Sequence, residues 1–201
     1  MKLYYSPGAC SLAPHIVLQE TGKEFELVKV DLASKTTETG DDFTKINPHG
    51  YVPVLGLDNG EVLTEGVAIM QYLADQSPEA GLAPENGTFE RARLQERLNY
   101  LSTELHKAFG PLFSDSAEEE KKKAVAKIES KLDYLDTLLN SKDYLMGDVF
   151  SIADAYLFVL ISWTAPTGIG LDRWPNIASF STRVSERKSV HEAMQAEGLL
   201  N

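Results

Sequence analysis

The side chains best suited to chemistry in this chain gather near its start. Cys10 is the only cysteine, and it follows Pro7-Gly8-Ala9 where a first β-like run gives way to a helix-like one. A thiol at that point meets the unpaired N–H groups and the positive end of a helix, which favour thiolate over thiol. The same residue type is also a common small hydrophobe, inert and buried at a helix start. With no second cysteine a dithiol cycle lacks its resolving partner, so any redox turnover needs an external thiol.

Three other groups carry possible chemistry. In Asn47-Pro48-His49-Gly50-Tyr51-Val52-Pro53-Val54, a proline enters a strand, removes a ladder donor and favours a cis bond after Val52. Such a corner turns the Val52 N–H and C=O outward, toward any extended peptide; an ordinary strand-initial proline is the plainer alternative. Thr64-Glu65-Gly66 precedes a helix, so the first N–H groups of that helix form an anion site and Glu65 can meet an ammonium, or can simply complement the helix dipole. Further on, Asn99, Thr103 and His106 recur at i, i+4 and i+7, a polar stripe on one helix face that could line a cleft. His106 has the reference pKa of a proton carrier. The remaining histidines, His15, His49 and His191, show no metal-ligand spacing with Cys10.

The elements that must position these residues are legible from pattern. Lys2–Tyr5, Phe25–Val30, Val52–Leu57 and Glu61–Leu63 read as strands, and Asn59-Gly60 marks a tight hairpin between the last two. A helix with Leu12, Ile16 and Val17 on one side lies after the first strand and ends at Gly22; a second runs from Glu65 to about Gln76. Residues 81–87, with Pro84, Asn86 and two glycines, read as a linker. Beyond it the chain is helical: Leu94, Leu98, Leu101 and Leu105 form one apolar stripe, Val125, Ile128, Leu132, Leu135 and Leu139 another, and Ser151-Ile152-Ala153-Asp154 has the form of a capping box.

Composition excludes several classes. The chain has 201 residues, 43% hydrophobic and 24% charged, as globular proteins do. It has no apolar run of membrane-spanning length and no secretory leader in MKLYYSPGAC, and with a single cysteine this suits the cytoplasm. A net charge of −11 argues against nucleic acid, and any anionic ligand must be held by local donors against the overall field.

Taken together, the order of elements, Tyr5, Ser6-Pro7-Gly8-Ala9-Cys10, the Val52-Pro53 corner, Glu65-Gly66 and Ser151-Ile152-Ala153-Asp154 resemble the cytosolic glutathione transferases. The cysteine after Pro-Gly-Ala, with Asn99 and His106-Lys107, is most similar to their bacterial beta class, and the resemblance covers essentially the whole chain. It implies a thioredoxin-like α/β domain (βαβαββα) at residues 1–80 and an all-α helical bundle at 88–201, in a cytoplasmic homodimer. It implies an enzyme that conjugates reduced glutathione to small hydrophobic electrophiles, with cysteine-dependent thiol–disulfide exchange beside it. Glutathione is then a cosubstrate, and no cofactor or metal is permanently bound.

Residue by residue, the resemblance puts Cys10 in contact or mixed disulfide with the glutathione sulfur, and His106 near it. Val52, before Pro53, pairs through its backbone with the cysteinyl unit; Lys35 meets the glycyl carboxylate; Glu65 and Gly66 hold the γ-glutamyl end. Tyr5 belongs to the same site, and Asn99, Thr103 and Glu104 are cleft or partner-subunit contacts. Phe109, Phe113 and Trp163 supply an apolar wall for the electrophile. Gly66 stands where many relatives have serine, which removes a hydroxyl contact. Tyr5 and Ser11 match positions from which other classes supply a catalytic hydroxyl, so the thiol activator is open among them and Cys10. The rival readings are a glutaredoxin-like thiol transferase or glutathione lyase, and a non-enzymatic binding module of the same fold.

Overall fold

A computed structural model describes residues 1–200. It divides into two compact units, one formed by Met1–Ala83 with the segment from Glu186 onward, the other by Pro84–Ser185.

The first unit opens with β1 (Lys2–Tyr5), α1 (Leu12–Thr21), β2 (Glu26–Asp31) and a short β3 (Thr36–Thr37). A single 3₁₀ turn, Phe43–Lys45, then stands where the thioredoxin-like order has its second helix, and β4 (Val54–Gly56), β5 (Val62–Thr64) and α2 (Gly66–Asp75) follow. The strands form one sheet in the order β3-β2-β1-β4-β5. Only β1 and β2 are parallel, with Leu3 beside Leu27, because only they are joined by a helical crossover. The β4–β5 hairpin forms at Asp58-Asn59-Gly60, where Gly60 takes φ +88° and the Asn59 carboxamide accepts the Glu61 N–H. Val30, Phe43, Val52 and Val54 make a small core, with Tyr4, Ala9, Leu32 and Ile46 packed on it, so the residues flanking Cys10 and Pro53 rest on a common apolar floor.

The second unit contains α3 (Phe89–Tyr100), α4 (Glu118–Leu139), α5 (Ile152–Ser162) and α6 (Pro175–Ser185). Thr88 caps α3 by accepting the Arg91 N–H at 3.1 Å. The expected stripes are internal: Leu94, Leu98, Leu101, Leu105, Ile128, Leu132, Leu135 and Leu139 are buried, with Val125 half-buried. The capping box at Ser151 forms, and Asp154 accepts the Ser151 N–H, the Ser151 hydroxyl and the Leu145 N–H. The start of α6 is capped by Asp136 of α4, which accepts the N–H groups of Asn176 and Ile177.

The chain then returns to the first unit as α7 (Lys188–Ala196), packed against α1. The observed break between Ala83 and Pro84 falls inside the expected linker, whereas the segment from Glu186, expected with the helical domain, belongs to the first unit. With α2 and α7 both against it, α1 is buried at every residue from Leu12 to Leu18, which is why its apolar residues are not confined to one stripe. No helix is long and apolar enough to cross a membrane, and no cluster of metal-ligating side chains occurs among the described residues.

Candidate active site

The turn after β1 places Cys10 half-buried with its Sγ donating to the carbonyl of Val52 at 3.4 Å. Sequence spacing put Cys10 at the helix start facing unpaired amides. In the structure α1 begins at Leu12, and the Leu12 and Ala13 N–H groups are already bonded to the carbonyls of Ala9 and Cys10. Cys10 thus precedes the helix by two residues, and the donor inventory there is smaller than expected, because a 3₁₀-like turn comes before the helix.

Two hydroxyls compete with the thiol as activators. Ser11 is buried, and its Oγ accepts the Ser6 N–H at 3.1 Å while donating to the Ser6 carbonyl at 3.2 Å, so its one proton is committed to holding the turn. Tyr5 is buried with its ring 6.3 Å from that of His15. Burial, then Glu197 and Glu38, push the Tyr5 phenol above its ordinary pKa, so it can donate a proton but not act as a phenolate near neutral pH.

Other expected residues of this unit lie in one continuous run. The Val52–Pro53 bond is cis, and the Val52 N–H makes no hydrogen bond among the described residues. Gly66 packs on Pro53: a Cβ there would meet the proline ring at 3.5 Å, an ordinary contact, so a serine would fit. Glu65 has φ +67° and an exposed side chain, and its carbonyl accepts the Ile69 N–H. The first amides of α2 are therefore presented beside Pro53. On the other side of Val52, Lys35 donates from Nζ to the Gly50 carbonyl at 3.0 Å and lies 5.7 Å from the Tyr51 ring centroid. Lys35, Gly50, Tyr51, Val52, Pro53 and Gly66 thus follow one another, with Cys10 at the Val52 carbonyl.

In the second unit α3 passes into a π-helical stretch, Leu101–His106, which sequence periodicity does not reveal. The wider turn changes the angular spacing of Thr103 and His106 relative to Asn99, so the expected i, i+4, i+7 face is not a simple α-helical stripe; such stretches recur at functional sites. Asn99 and Thr103 are exposed, and the Thr103 hydroxyl donates to the Asn99 carbonyl at 3.0 Å. Glu104 is paired with Lys131 at 2.8 Å, and that hydrogen bond and charge hold its carboxyl below the usual range.

His106 is set in an aromatic cluster. Its Nδ1 is 2.6 Å from the Tyr156 hydroxyl, and its ring meets Trp163 edge-on at 4.9 Å between centroids. Phe109 and Phe113 each meet Trp163 edge-on, at 5.5 and 5.4 Å, so the three residues expected to form an apolar wall do assemble. Burial, and then the Lys107 charge, lower the His106 pKa to about 4. His106 is therefore a neutral imidazole near pH 7, able to offer or accept one hydrogen bond but not a charge. Tyr156, its partner, was not found from sequence: it lies fifty residues further on, in a continuous apolar run, with no spacing to link the two.

The glutathione S-transferase N-terminal domain family matches residues 1–75 and the glutathione S-transferase C-terminal domain family residues 100–188. The chain is 50% identical over 200 residues to the glutathione S-transferase GstA of Escherichia coli O157:H7, covering 99% of this chain and all of that protein. Its structure is similar to a sphingomonad glutathione S-transferase complexed with glutathione, with a TM-score of 0.96 and 49% identity over the full length of both. It is also similar to the bacterial beta class glutathione S-transferase of Sphingomonas chungbukensis, with a TM-score of 0.97 and 52% identity, again over the full length of both chains. Matched in both halves and along its whole length, this chain belongs to the glutathione S-transferase family.

Proposed function

We propose that this chain is a glutathione transferase that joins reduced glutathione to small hydrophobic electrophiles and uses Cys10 at the sulfur. The observation that carries the reading is the contact of Cys10 Sγ with the Val52 carbonyl, at the corner where Gly66 packs on Pro53. An extended tripeptide has its cysteinyl main chain at Val52, its glycyl carboxylate toward Lys35, and its γ-glutamyl end at Glu65 and the first amides of α2. Each end then meets a group of suitable charge or polarity. A thiol lying beside Cys10 and a helix N-terminus is favoured as thiolate, and the thiolate is the species that attacks electrophilic carbon. Tyr5 in the first unit and His106 in the second each remain neutral donors, and Asn99, Thr103 and Glu104 serve ligand or partner-subunit contacts. Phe109, Phe113 and Trp163 offer the apolar surface that an aromatic electrophile needs.

A second reading, thiol–disulfide exchange through a mixed disulfide at Cys10, is favoured by the commitment of the Ser11 hydroxyl and the burial of Tyr5, which leave the thiol as the reactive group of the turn. Conjugation of a chloronitrobenzene and reduction of a glutathione mixed disulfide, each measured in wild type and Cys10→Ala, separate the two. We expect both to fall in the variant, disulfide reduction to background. Unchanged conjugation with abolished disulfide reduction assigns Cys10 to redox work alone; no change in either removes it from the site.

A further inference from the structure

A buried carboxylate from the far end of the chain reaches the turn that carries Cys10. Glu197, just past α7, is 5% exposed; its Oε2 accepts the Gly8 N–H at 2.9 Å, and its Oε1 lies 2.9 Å from Nδ1 of His15 on α1. His15 is fully buried beside Phe25 and Tyr5, and its Nε2 has no hydrogen-bond partner among the described residues. Leu199 covers Gly8, whose φ is +69°, closely enough that a Cβ there would stand 3.5 Å from the leucine Cδ2. A carboxylate removed from water is costly, and a well-packed apolar residue of similar size usually stabilises a fold at least as well. What an apolar residue could not do is hold a backbone amide of the turn at a fixed distance from the first helix.

We propose that Glu197 is a positioning residue for Cys10, and that the C-terminal segment is a clamp holding the Ser6–Cys10 turn in register with α1. This rests on the reading that Cys10 serves the glutathione sulfur. The turn is pinned from within by the Ser11 hydroxyl and by the Ala9 N–H to Ser6 carbonyl bond, and from without by Glu197 through Gly8. Release of the outer pin lets Cys10 swing off the Val52 carbonyl, so the thiol becomes more accessible while glutathione binds less well.

Because the chain has one cysteine, thiol labelling reports on this turn alone. In Glu197→Ala, labelling of Cys10 by a bulky aromatic disulfide is expected to quicken and KM for glutathione to rise, each roughly tenfold, the size of one lost hydrogen bond. Glu197→Gln keeps an oxygen for the Gly8 N–H and gives His15 Nδ1 a donor, and is expected to restore both values to near wild type. If the alanine variant does not fold, the volume-matched Glu197→Leu takes its place with the same expectation. Glu20→Ala is the control for general loosening, since it breaks the Arg187 and Ser189 bonds at the opposite end of α7. Unchanged labelling in the Glu197 variants, or equal acceleration in Glu20→Ala at a matched fall in Tm, overturns the proposal. Accelerated labelling in a protein whose conjugation survives Cys10→Ala leaves the clamp standing and overturns only the reading of Cys10.

Discussion

At the scale of single residues, the environment of His106 leads to a pH prediction. Its folded pKa is about 4 against an ordinary 6.5, so on acidification the unfolded chain takes up a proton that the folded one refuses. The folded state is therefore at no disadvantage above pH 6.5 and loses stability as pH falls toward 4, by a total on the order of 3 kcal/mol. Asp154 acts in the opposite sense over nearly the same window. Burial raises its pKa from 3.8 to about 6, so protonation between those values favours the fold. Comparing wild type with His106→Gln cancels the Asp154 contribution. In urea titrations the variant is expected to gain on wild type steadily from pH 6.5 to 4, and a constant difference across that range would contradict the buried neutral imidazole. The same variant should lower conjugation without moving any limb of the pH–rate profile above pH 5, because wild-type His106 does not titrate there.

At the scale of elements, the start of α5 is the most exacting local structure. The helix is buried along almost its full length, and Asp154 within its first turn accepts three hydrogen bonds from two segments, tying Leu145 and Ser151 to one carboxylate. Asp154→Ala removes the cap and leaves buried donors unpaired. It is expected to destabilise the fold by about 2–4 kcal/mol, measured by denaturant unfolding at pH 7; a loss under about 0.5 kcal/mol would mean that water replaces the carboxylate. This motif was readable from four consecutive residues because a capping box is local. The hairpin at Asn59-Gly60 was readable for the same reason. The π-helical stretch after α3 was not: Leu101 and Leu105 keep their apolar spacing whether the turn closes on four residues or five.

At the scale of the whole molecule, charge and exposed apolar surface bear on association. We propose that the chain forms a homodimer, since Tyr51 and Val62 in the first unit, and Phe89 and Tyr134 in the second, are large apolar side chains left exposed. Each chain carries a net charge of −11, so two copies repel at long range, and apolar contact must supply the attraction. Sedimentation should show a species of twice the chain mass that tightens as salt rises, because screening weakens the repulsion without touching the apolar contact. Tyr51→Glu is expected to shift it to monomer; a monomer in wild type at micromolar concentration would end the proposal.

Much of this protein is written locally. The strand and helix periods, the hairpin, the capping box, the linker and the run of turn residues ending in Cys10 all depend on neighbours a few positions apart, and those neighbours are visible in the chain as written. The tertiary structure alone decided which distant groups meet: Cys10 with the Val52 carbonyl, Tyr156 with His106, and Glu197 with Gly8 and His15. It also returned α7 to the first unit, against the expectation drawn from an unbroken helical pattern. Periodicity tells which face of a helix is apolar, but an apolar face is satisfied by any complementary surface. Only packing of the complete chain selects one.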